Sequence, residues 1–399
     1  MSNSRPIYQF LPEKFNYLTK SKTIQYKEIN LKTAYLINII HELILKFYFI
    51  NRNYLDAEPN KDIKFNLWSA ILRKKYGMHY NYYMDYLIEN NFIEMISDYF
   101  VGKKAKTYKI NTFDIQTVKR VQIYDTILSK KNTKDYLIQT ITGYCNSPIN
   151  PKLRKRLIDD LYKVQLDYDK SLDYLNKLKE SGNIELNKYY KNLHSIDSIK
   201  TNYLFFKFDE YGRLHTNFTI LKKEIRQKYL KINDEDITEI DIGNSQPLFL
   251  ALLIKNELDP SDPEISNYIW LAKQGLFYEH FISKFPNLNR KDVKLLTYKV
   301  LFGHNGINSI ENKMFESLFP KIYAYIIEYK KLNENYKSMS HILQKMESDF
   351  IFGKVCTEIY QKIPDINLIT IHDSIIFPIK YEKRIKEIFD RNKKELFKE

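Results

Sequence analysis

The chain has 399 residues, of which 44% are hydrophobic, and a formal net charge of +14. Its length allows two or three domains, and its charge favours a polyanionic partner such as nucleic acid. An A+T-rich coding sequence would also enrich lysine, so charge alone does not identify the partner. No apolar run reaches the roughly 18 residues of a membrane span, and the start lacks a signal-peptide segment. Cys145 and Cys356 alone exclude a disulfide framework and a CxxC zinc site, so we expect a cytoplasmic protein without membrane contact.

Residues 30–115, which follow an N-terminal extension of residues 1–29, have the pattern of a small helical domain with a hairpin. Apolar periodicity predicts three helices and then two strands, at Leu31–Ile50, Leu67–Tyr76, Tyr80–Glu89, Phe92–Phe100 and Ala105–Ile110. This order is typical of a winged helix-turn-helix, whose third helix enters a DNA groove. Lys103 and Lys104, in the turn between the strands, would then contact phosphates. A helical packing module with a solvated turn would give the same pattern.

Residues 116–200 are predicted to be a charged helical region, thumb-like or linking, as in the stretch Leu157–Leu178. Motifs with chemical content begin after residue 201. The first is the turn Asp209–Arg213, where Gly212 permits a tight backbone approach and Arg213 could bind a phosphate or a base edge. A loop with a surface arginine is the simpler alternative.

The second motif is a predicted strand that ends in a carboxylate, Ile237–Asp241. A turn at Gly243 and Asn244 follows, and then a helix with Ser245 as its N-cap. An aspartate in this place can bind a divalent cation, and the nearby helix N–H groups suit triphosphate oxygens. Alternatively, Asp241 merely caps the turn.

The third motif is a predicted helix between Asn289, a good N-cap, and Gly303, a good C-terminal stop. Four of its side chains are each four residues apart and form one stripe: Arg290, Lys294, Tyr298 and Phe302. Two cations followed by two rings would meet a triphosphate tail and then a base. A solvated basic end that continues into an apolar face would give the same stripe.

The fourth motif runs from Gln344 to Asp349 and is predicted to open a helix that leads to a hairpin. Two β-branched runs within Leu368–Pro378 are joined at His372 and Asp373, which predicts a strand–turn–strand unit. Its turn carboxylate would protrude from the sheet edge, where a metal ion could reach it. A turn aspartate that bonds its own backbone is the alternative.

Together these motifs resemble, in order and chemistry, the family A DNA polymerases and the single-subunit phage-type RNA polymerases. The resemblance covers about residues 201–399. Asp241 matches the metal ligand of motif A, and His372 and Asp373 match motif C. Motif B is matched by five residues: Arg290, Lys294, Tyr298, Phe302 and Gly303. Elements that hold the primer–template are matched by Gly212, Arg213 and Gln344, with Asp349 at the expected offset.

The resemblance implies an α+β, mostly helical fold with a right-hand palm and fingers, and template-directed nucleotidyl transfer. Asp241 and Asp373 would hold two Mg²⁺ ions, for which Mn²⁺ could substitute. The nucleotide would be bound by the motif B stripe, Arg290, Lys294, Tyr298 and Phe302, with Lys294 also catalytic. The primer–template would be held by Arg213, Gln344 and His372. A replication partner or a protein primer would also be compatible with this assignment.

Sugar preference stays open at this stage. Family A DNA polymerases have a glutamate that blocks the ribose 2′-hydroxyl where this chain has Leu248. Three features favour the RNA polymerase branch: this departure at Leu248, the Asp-x-x-Gly-Arg pattern that ends at Arg213, and Ser374 after Asp373. However, Phe302 stands where that branch has a tyrosine that recognises the 2′-hydroxyl.

We expect a compact, exonuclease-lacking DNA polymerase of a mobile element, phage or plasmid. The alternatives are an RNA polymerase or primase on the same fold, and a DNA-binding replication initiator with a non-catalytic palm. Untemplated and protein-primed synthesis are also compatible with the motifs.

Overall fold

The computed structural model describes residues 6–50, 64–98, 106–125, 128, 148–304 and 309–398. These residues are mostly helical with small sheets, which confirms the expected α+β class. They form two compact units. The first lies within Met1–Gly143, Gln165–Phe205 and Ile220–Leu230, and the second within Tyr144–Val164, Phe206–Thr219 and Lys231–Glu399. In the described part of the chain, no helix has both the length and the apolar character needed to cross a membrane.

The strands are short. In chain order they are β1 (Ile7–Pro12), β2 (Thr23–Tyr26), β3 (Ile29–Lys32), β4 (Lys64–Leu67), β5 (Ile93–Ser97), β6 (Lys106–Ile110), β7 (Val118–Ile123), β8 (Val164–Leu166), β9 (Phe206–Phe208), β10 (Leu214–Thr216), β11 (Leu230–Ile232), β12 (Ile237–Asp241), β13 (Ile369–Ile371) and β14 (Ser374–Pro378).

The α-helices of the described residues divide between the two halves of the chain. Up to residue 230 they are α1 (Thr33–Ile50), α2 (Ser69–Tyr76), α3 (Tyr80–Glu89), α4 (Thr112–Gln116), α5 (Pro151–Leu161), α6 (Tyr168–Glu180), α7 (Leu186–Thr201), α8 (Asn217–Ile220) and α9 (Lys223–Tyr229). Beyond it they are α10 (Ser245–Glu257), α11 (Pro263–Gln274), α12 (Phe277–Lys284), α13 (Arg290–Phe302), α14 (Ile310–Leu318), α15 (Pro320–Leu332), α16 (Ser338–Ser348), α17 (Thr357–Lys362) and α18 (Glu382–Glu395). Two 3₁₀ helices and a π-helix complete the set, at Glu13–Lys20, Ile379–Tyr381 and Asp349–Cys356.

The first unit contains the helices and hairpin predicted for residues 30–115. The α1, α2 and α3 helices are present, and α3 has the predicted bounds. The strands that follow, β5 and β6, pair antiparallel, and β4 joins the other side of β6 to make a three-stranded sheet. Strand β1 pairs with β7, so that Ile7 lies opposite Ile123. Lys103 and Lys104 fall outside the described residues.

The second unit is built around the antiparallel sheet β12–β14–β13. The hairpin predicted within Leu368–Pro378 is confirmed, because β13 and β14 pair with Ile371 opposite Ser374. All residues of both strands are buried, so this hairpin lies in the core of the unit. Strand β12 pairs with the other side of β14, which brings Asp241 opposite Ser374.

The stretch Leu157–Leu178 is mostly helical, as predicted, but it is interrupted: α5 ends at Leu161, β8 follows, and Asp167 caps α6 by accepting from the Lys170 N–H at 3.3 Å. One local prediction is wrong. The segment from Gln344 to Asp349 does not open a helix but closes α16, and Asp349 begins the π-helix. Such π-helical turns occur often beside functional sites.

Candidate active site

The two predicted metal ligands are brought together by strand pairing. Asp241 is the last residue of β12, and the N–H of Ile242 donates to the carbonyl of Asp373 at 3.1 Å. Asp373 lies in the two-residue turn between β13 and β14, whose first residue, His372, has a left-handed backbone with φ 54°. This backbone conformation suits tight hairpin turns. The carboxylates of Asp241 and Asp373 therefore occupy the same end of two neighbouring strands.

Asp373 lies in a largely buried environment with two other carboxylates near it. Burial raises the pKa of Asp373 to about 6, and the negative charges of Glu347 and Asp241 add to the effect, while Lys294 opposes it. Asp241 itself is exposed. Carboxylate oxygens are the ligands that Mg²⁺ prefers, so this donor set fits a divalent cation. Among the described residues, no group of three or more His, Cys, Asp or Glu side chains is arranged to hold a metal.

Glu347 lies at the centre of the hydrogen bonding near this site, and no sequence motif had singled it out. It is 2% exposed. Its Oε1 accepts from Nε and Nη2 of Arg213 at 3.1 and 2.5 Å, and its Oε2 accepts from Ser245 Oγ at 2.6 Å and Gln246 Nε2 at 2.8 Å. The only sequence signal for Glu347 was its position within the fourth motif, three residues after Gln344.

The turn that carries Arg213 lies directly on α16. Gly212 has φ 86°, and a Cβ built there would lie 3.1 Å from the Cβ of Ser348. Glycine is therefore favoured both by the backbone angle and by the close approach. One residue earlier, the Tyr211 ring stacks on His341 with centroids 4.3 Å apart. Arg213 thus reaches Glu347 from a turn that is fixed against the helix, and its guanidinium is engaged within the protein.

The start of α10 differs from the prediction. Ser245 is not the N-cap: Asn244 takes that position with φ 59° and makes no side-chain cap bond. The hydroxyl of Ser245 is instead taken by Glu347. Leu248, at the position discussed for sugar choice, is buried at 1% exposure. The helix that follows Asp241 is therefore tied to α16 at its first turn.

Helix α13 confirms the predicted start. Asn289 accepts from the N–H of Asp292 at 3.1 Å, and Asp292 accepts from the N–H of Asn289 at 3.1 Å, which makes a complete capping box. At the basic end, Arg290 pairs with Glu279, and its Nη2 lies 3.4 Å from Asn244 Oδ1. The first cation of the stripe thus faces the start of α10.

The remainder of the stripe leads toward the carboxylates. Lys294 is exposed, and its Nζ lies 5.6 Å from the Tyr298 ring centroid. Tyr298 and Phe302 stack with centroids 5.3 Å apart. Burial, together with the negative charges of Asp373 and Glu347, raises the pKa of Tyr298 to about 12, which indicates that this ring lies near both carboxylates.

The end of α13 lies at the predicted residue. Gly303 ends the helix, and its backbone is extended with φ −78°. Glycine is required because a Cβ would lie 2.4 Å from the carbonyl oxygen of Lys299. The buried Lys330 donates to the carbonyls of Val300 and Gly303 at 2.7 and 2.9 Å, so the last turn is also fixed by a side chain of α15.

The other predicted primer–template residues lie around this centre. Gln344 is half-buried on α16, three residues before Glu347. The His372 ring lies 5.9 Å from the His215 ring, and His215 Nε2 lies 2.8 Å from Asp209 Oδ2. The strand end, the Gly–Arg turn, α13 and α16 therefore meet within the second unit.

Comparison with known proteins adds no family to these observations. No protein-family model matches the chain, and a search of the curated proteins found no significant match. Its function is therefore inferred from its own residues.

Proposed function

We propose that this chain is a template-directed nucleotidyltransferase, a small DNA polymerase without an exonuclease, whose palm and fingers lie in the second unit. The observation that carries the proposal is the convergence of Asp241 and Asp373 on neighbouring strand ends. Two charges near Asp373 come from the other motifs. Lys294 belongs to the α13 stripe, which the resemblance assigns to the nucleotide, and Glu347 belongs to the fourth motif, which it assigns to the primer–template.

The two aspartates would hold Mg²⁺. A divalent cation bound there lowers the pKa of an attacking hydroxyl and neutralises charge that develops on the phosphate. The protein's own contribution is to hold one carboxylate at the end of β12 and the other, which is partly buried, in the β13–β14 turn. Such preorganised charge does not have to reorganise during the reaction.

The α13 stripe would bind the nucleotide. The exposed ammonium of Lys294 would neutralise charge on a triphosphate. Lys294 lies four residues before Tyr298 and therefore on the same face of the helix. Arg290 would join it after exchanging Glu279 for a phosphate, because the present pair is exposed and therefore weak. The stacked rings of Tyr298 and Phe302 offer a flat apolar surface for a base.

The test is primer extension on a DNA template with Mg²⁺, run separately with dNTPs and with NTPs. A lane without primer and the Asp373→Asn variant complete the set. Extension by dNTPs that the variant loses is the expected result. Extension by NTPs, particularly without primer, would move the assignment to an RNA polymerase or primase. Incorporation by the variant equal to that of the wild type would contradict the site.

For the first unit we propose contact with duplex DNA through a winged helix. The order α2, α3, β5, β6 supports it. Helix α3 contains Asp85 and Glu89 and no basic residue, whereas the last turn of α2 contains Arg73, Lys74 and Lys75. Phosphate contacts would therefore rest on the end of α2 and on the predicted hairpin turn, not on α3.

Salt dependence tests this second proposal. Replacing Lys103 and Lys104 together with alanine should weaken duplex binding at every sequence and reduce the slope of log affinity against log salt by about 2. An unchanged slope would remove the hairpin turn from the contact. The primer-extension assay distinguishes this outcome from a failure of the catalytic site.

A further inference from the structure

The Glu347 carboxylate joins three segments of the second unit. It lies on α16, one oxygen binds Arg213 of the β9–β10 turn, and the other binds Ser245 and Gln246 at the start of α10. All four of these contacts are side chain to side chain and are 3.1 Å or shorter. A buried carboxylate with this many donors is fixed in place, since each donor compensates part of its lost hydration.

Two of these segments lead directly to the proposed reaction centre. Ser245 follows Asp241 by four residues, and the intervening link contains the left-handed Asn244. A displacement of the first turn of α10 would therefore move the end of β12 and its carboxylate. On the other side, Gly212 and Ser348 are in close contact, so the Arg213 turn follows α16.

We propose that Glu347 is a positioning residue for the proposed nucleotidyl transfer: by fastening α10 and the Gly212–Arg213 turn to α16, it fixes Asp241 and the reach of Arg213. This inference rests on the proposed function, and it assigns Glu347 no contact with substrate. Mutation of a residue that holds a metal ligand in position commonly lowers activity by about 10- to 100-fold.

The central variant is Glu347→Gln, which keeps the size of the side chain but removes its charge and turns one acceptor into a donor. We expect kcat for dNTP incorporation, corrected for the folded fraction by circular dichroism, to fall by about 10- to 100-fold. The KM for the nucleotide should change little, since the α13 stripe is left intact. A residue that only stabilises the fold would lower the folded fraction without this split between kcat and KM.

Asp160→Asn is the matched control in the same unit. Asp160 is 1% exposed, and its carboxylate accepts from Tyr360 Oη at 2.7 Å, Asn367 Nδ2 at 2.7 Å and the Leu368 N–H at 3.0 Å. It is a fixed, buried carboxylate that binds neither the Arg213 turn nor α10. We expect this variant to lose stability and to keep its kcat per folded molecule.

Ser245→Ala is the milder variant if Glu347→Gln fails to fold. It removes one hydrogen bond to Oε2 and leaves the charged pair of Arg213 and Glu347 complete. Loss of one such bond should lower kcat by about fivefold. An unchanged kcat in this variant would overturn the assignment of the Oε2 contacts.

The outcomes separate this inference from the function on which it rests. If the wild type incorporates dNTPs and Glu347→Gln retains full kcat, or loses only as much as Asp160→Asn, the positioning role is overturned and the polymerase remains. If neither the wild type nor any variant incorporates nucleotides, the proposed function fails and the positioning role fails with it. A kcat loss confined to Glu347→Gln and Ser245→Ala supports both.

Discussion

Each of the two units contains an arginine paired with a buried carboxylate, but the two pairs are built differently. In the first unit, Arg120 donates through Nε and Nη2 to both oxygens of Asp197, at 2.7 and 2.6 Å. The Tyr8 ring lies 3.8 Å from its guanidinium carbon. In the second unit, Arg213 donates twice to a single oxygen of Glu347, and the other oxygen serves the first two residues of α10.

The difference lies in what surrounds each buried ion pair. The Arg120–Asp197 pair is a closed fork with the Tyr8 ring against it and the Tyr168 hydroxyl bonded to Asp197, which is a strong arrangement. The Glu347 carboxylate is shared among three segments that carry candidate site residues. Its neighbours, and not its charge or burial, connect it with Asp241 and Asp373.

The largest expected effect is the loss of activity in a variant of the second unit. Asp373→Asn should reduce nucleotide incorporation below detection, because it removes one of two charged ligands. It should not lower the melting temperature, since it relieves the repulsion that Asp373 experiences from Glu347 and Asp241. Primer extension and thermal denaturation of the same preparation measure both. Loss of activity through unfolding would contradict this prediction.

The next effect tests the structural role of the closed pair. Asp197→Ala leaves the Arg120 guanidinium without its carboxylate, and it should lower the free energy of unfolding by about 3–5 kcal/mol. Tyr168→Phe, which removes a hydroxyl 3.1 Å from Asp197 Oδ1, should cost about 1 kcal/mol. Urea denaturation gives both values. If Asp197→Ala instead abolished incorporation per folded molecule, the contrast between the two pairs would be wrong.

A smaller effect concerns the turn that brings Arg213 to Glu347. Gly212→Ala should cost about 1–3 kcal/mol, because φ is positive there and the new Cβ would press on Ser348. Gly182→Ala, in the first unit, is the control: its φ is also positive, at 69°, but no atom of the described residues lies within 4 Å of a Cβ built there. Incorporation should fall in the first variant alone. Equal losses in both would mean that the contact with α16 does not matter.

Local signals in the sequence predicted what local forces determine. The helix start at Asn289 and the hairpin around His372 each form within a few residues, and both were predicted correctly. The position of Glu347 was not predictable in this way, because its partners Arg213 and Ser245 lie 134 and 102 residues away in sequence. The same long-range contact explains the wrong N-cap, since it takes the Ser245 hydroxyl.

Lys330 is a second residue whose role no local pattern could reveal. Its partners Val300 and Gly303 are 30 and 27 residues away, and the side chain is 2% exposed. Burial lowers the pKa of Lys330 to about 8. This lysine fixes the end of α13 in the second unit, the unit that contains the Arg213–Glu347 pair. The helix that carries the stripe is therefore also held by a long-range contact.

The smallest expected effect is a pH dependence of stability from Lys330. The pKa of a lysine in the unfolded chain is about 10.4. Between pH 8 and this pKa, the unfolded chain therefore binds more protons than the folded one. The contribution of Lys330 to the free energy of unfolding should therefore rise with pH, by on the order of 1 kcal/mol between pH 8 and 9. Urea denaturation of the wild type and Lys330→Met at pH 7, 8 and 9 measures it. The neutral amine still has two N–H donors for the carbonyls of Val300 and Gly303, so the wild type should gain on the variant as pH rises. A constant difference would mean that the pKa of Lys330 is not lowered in the folded protein.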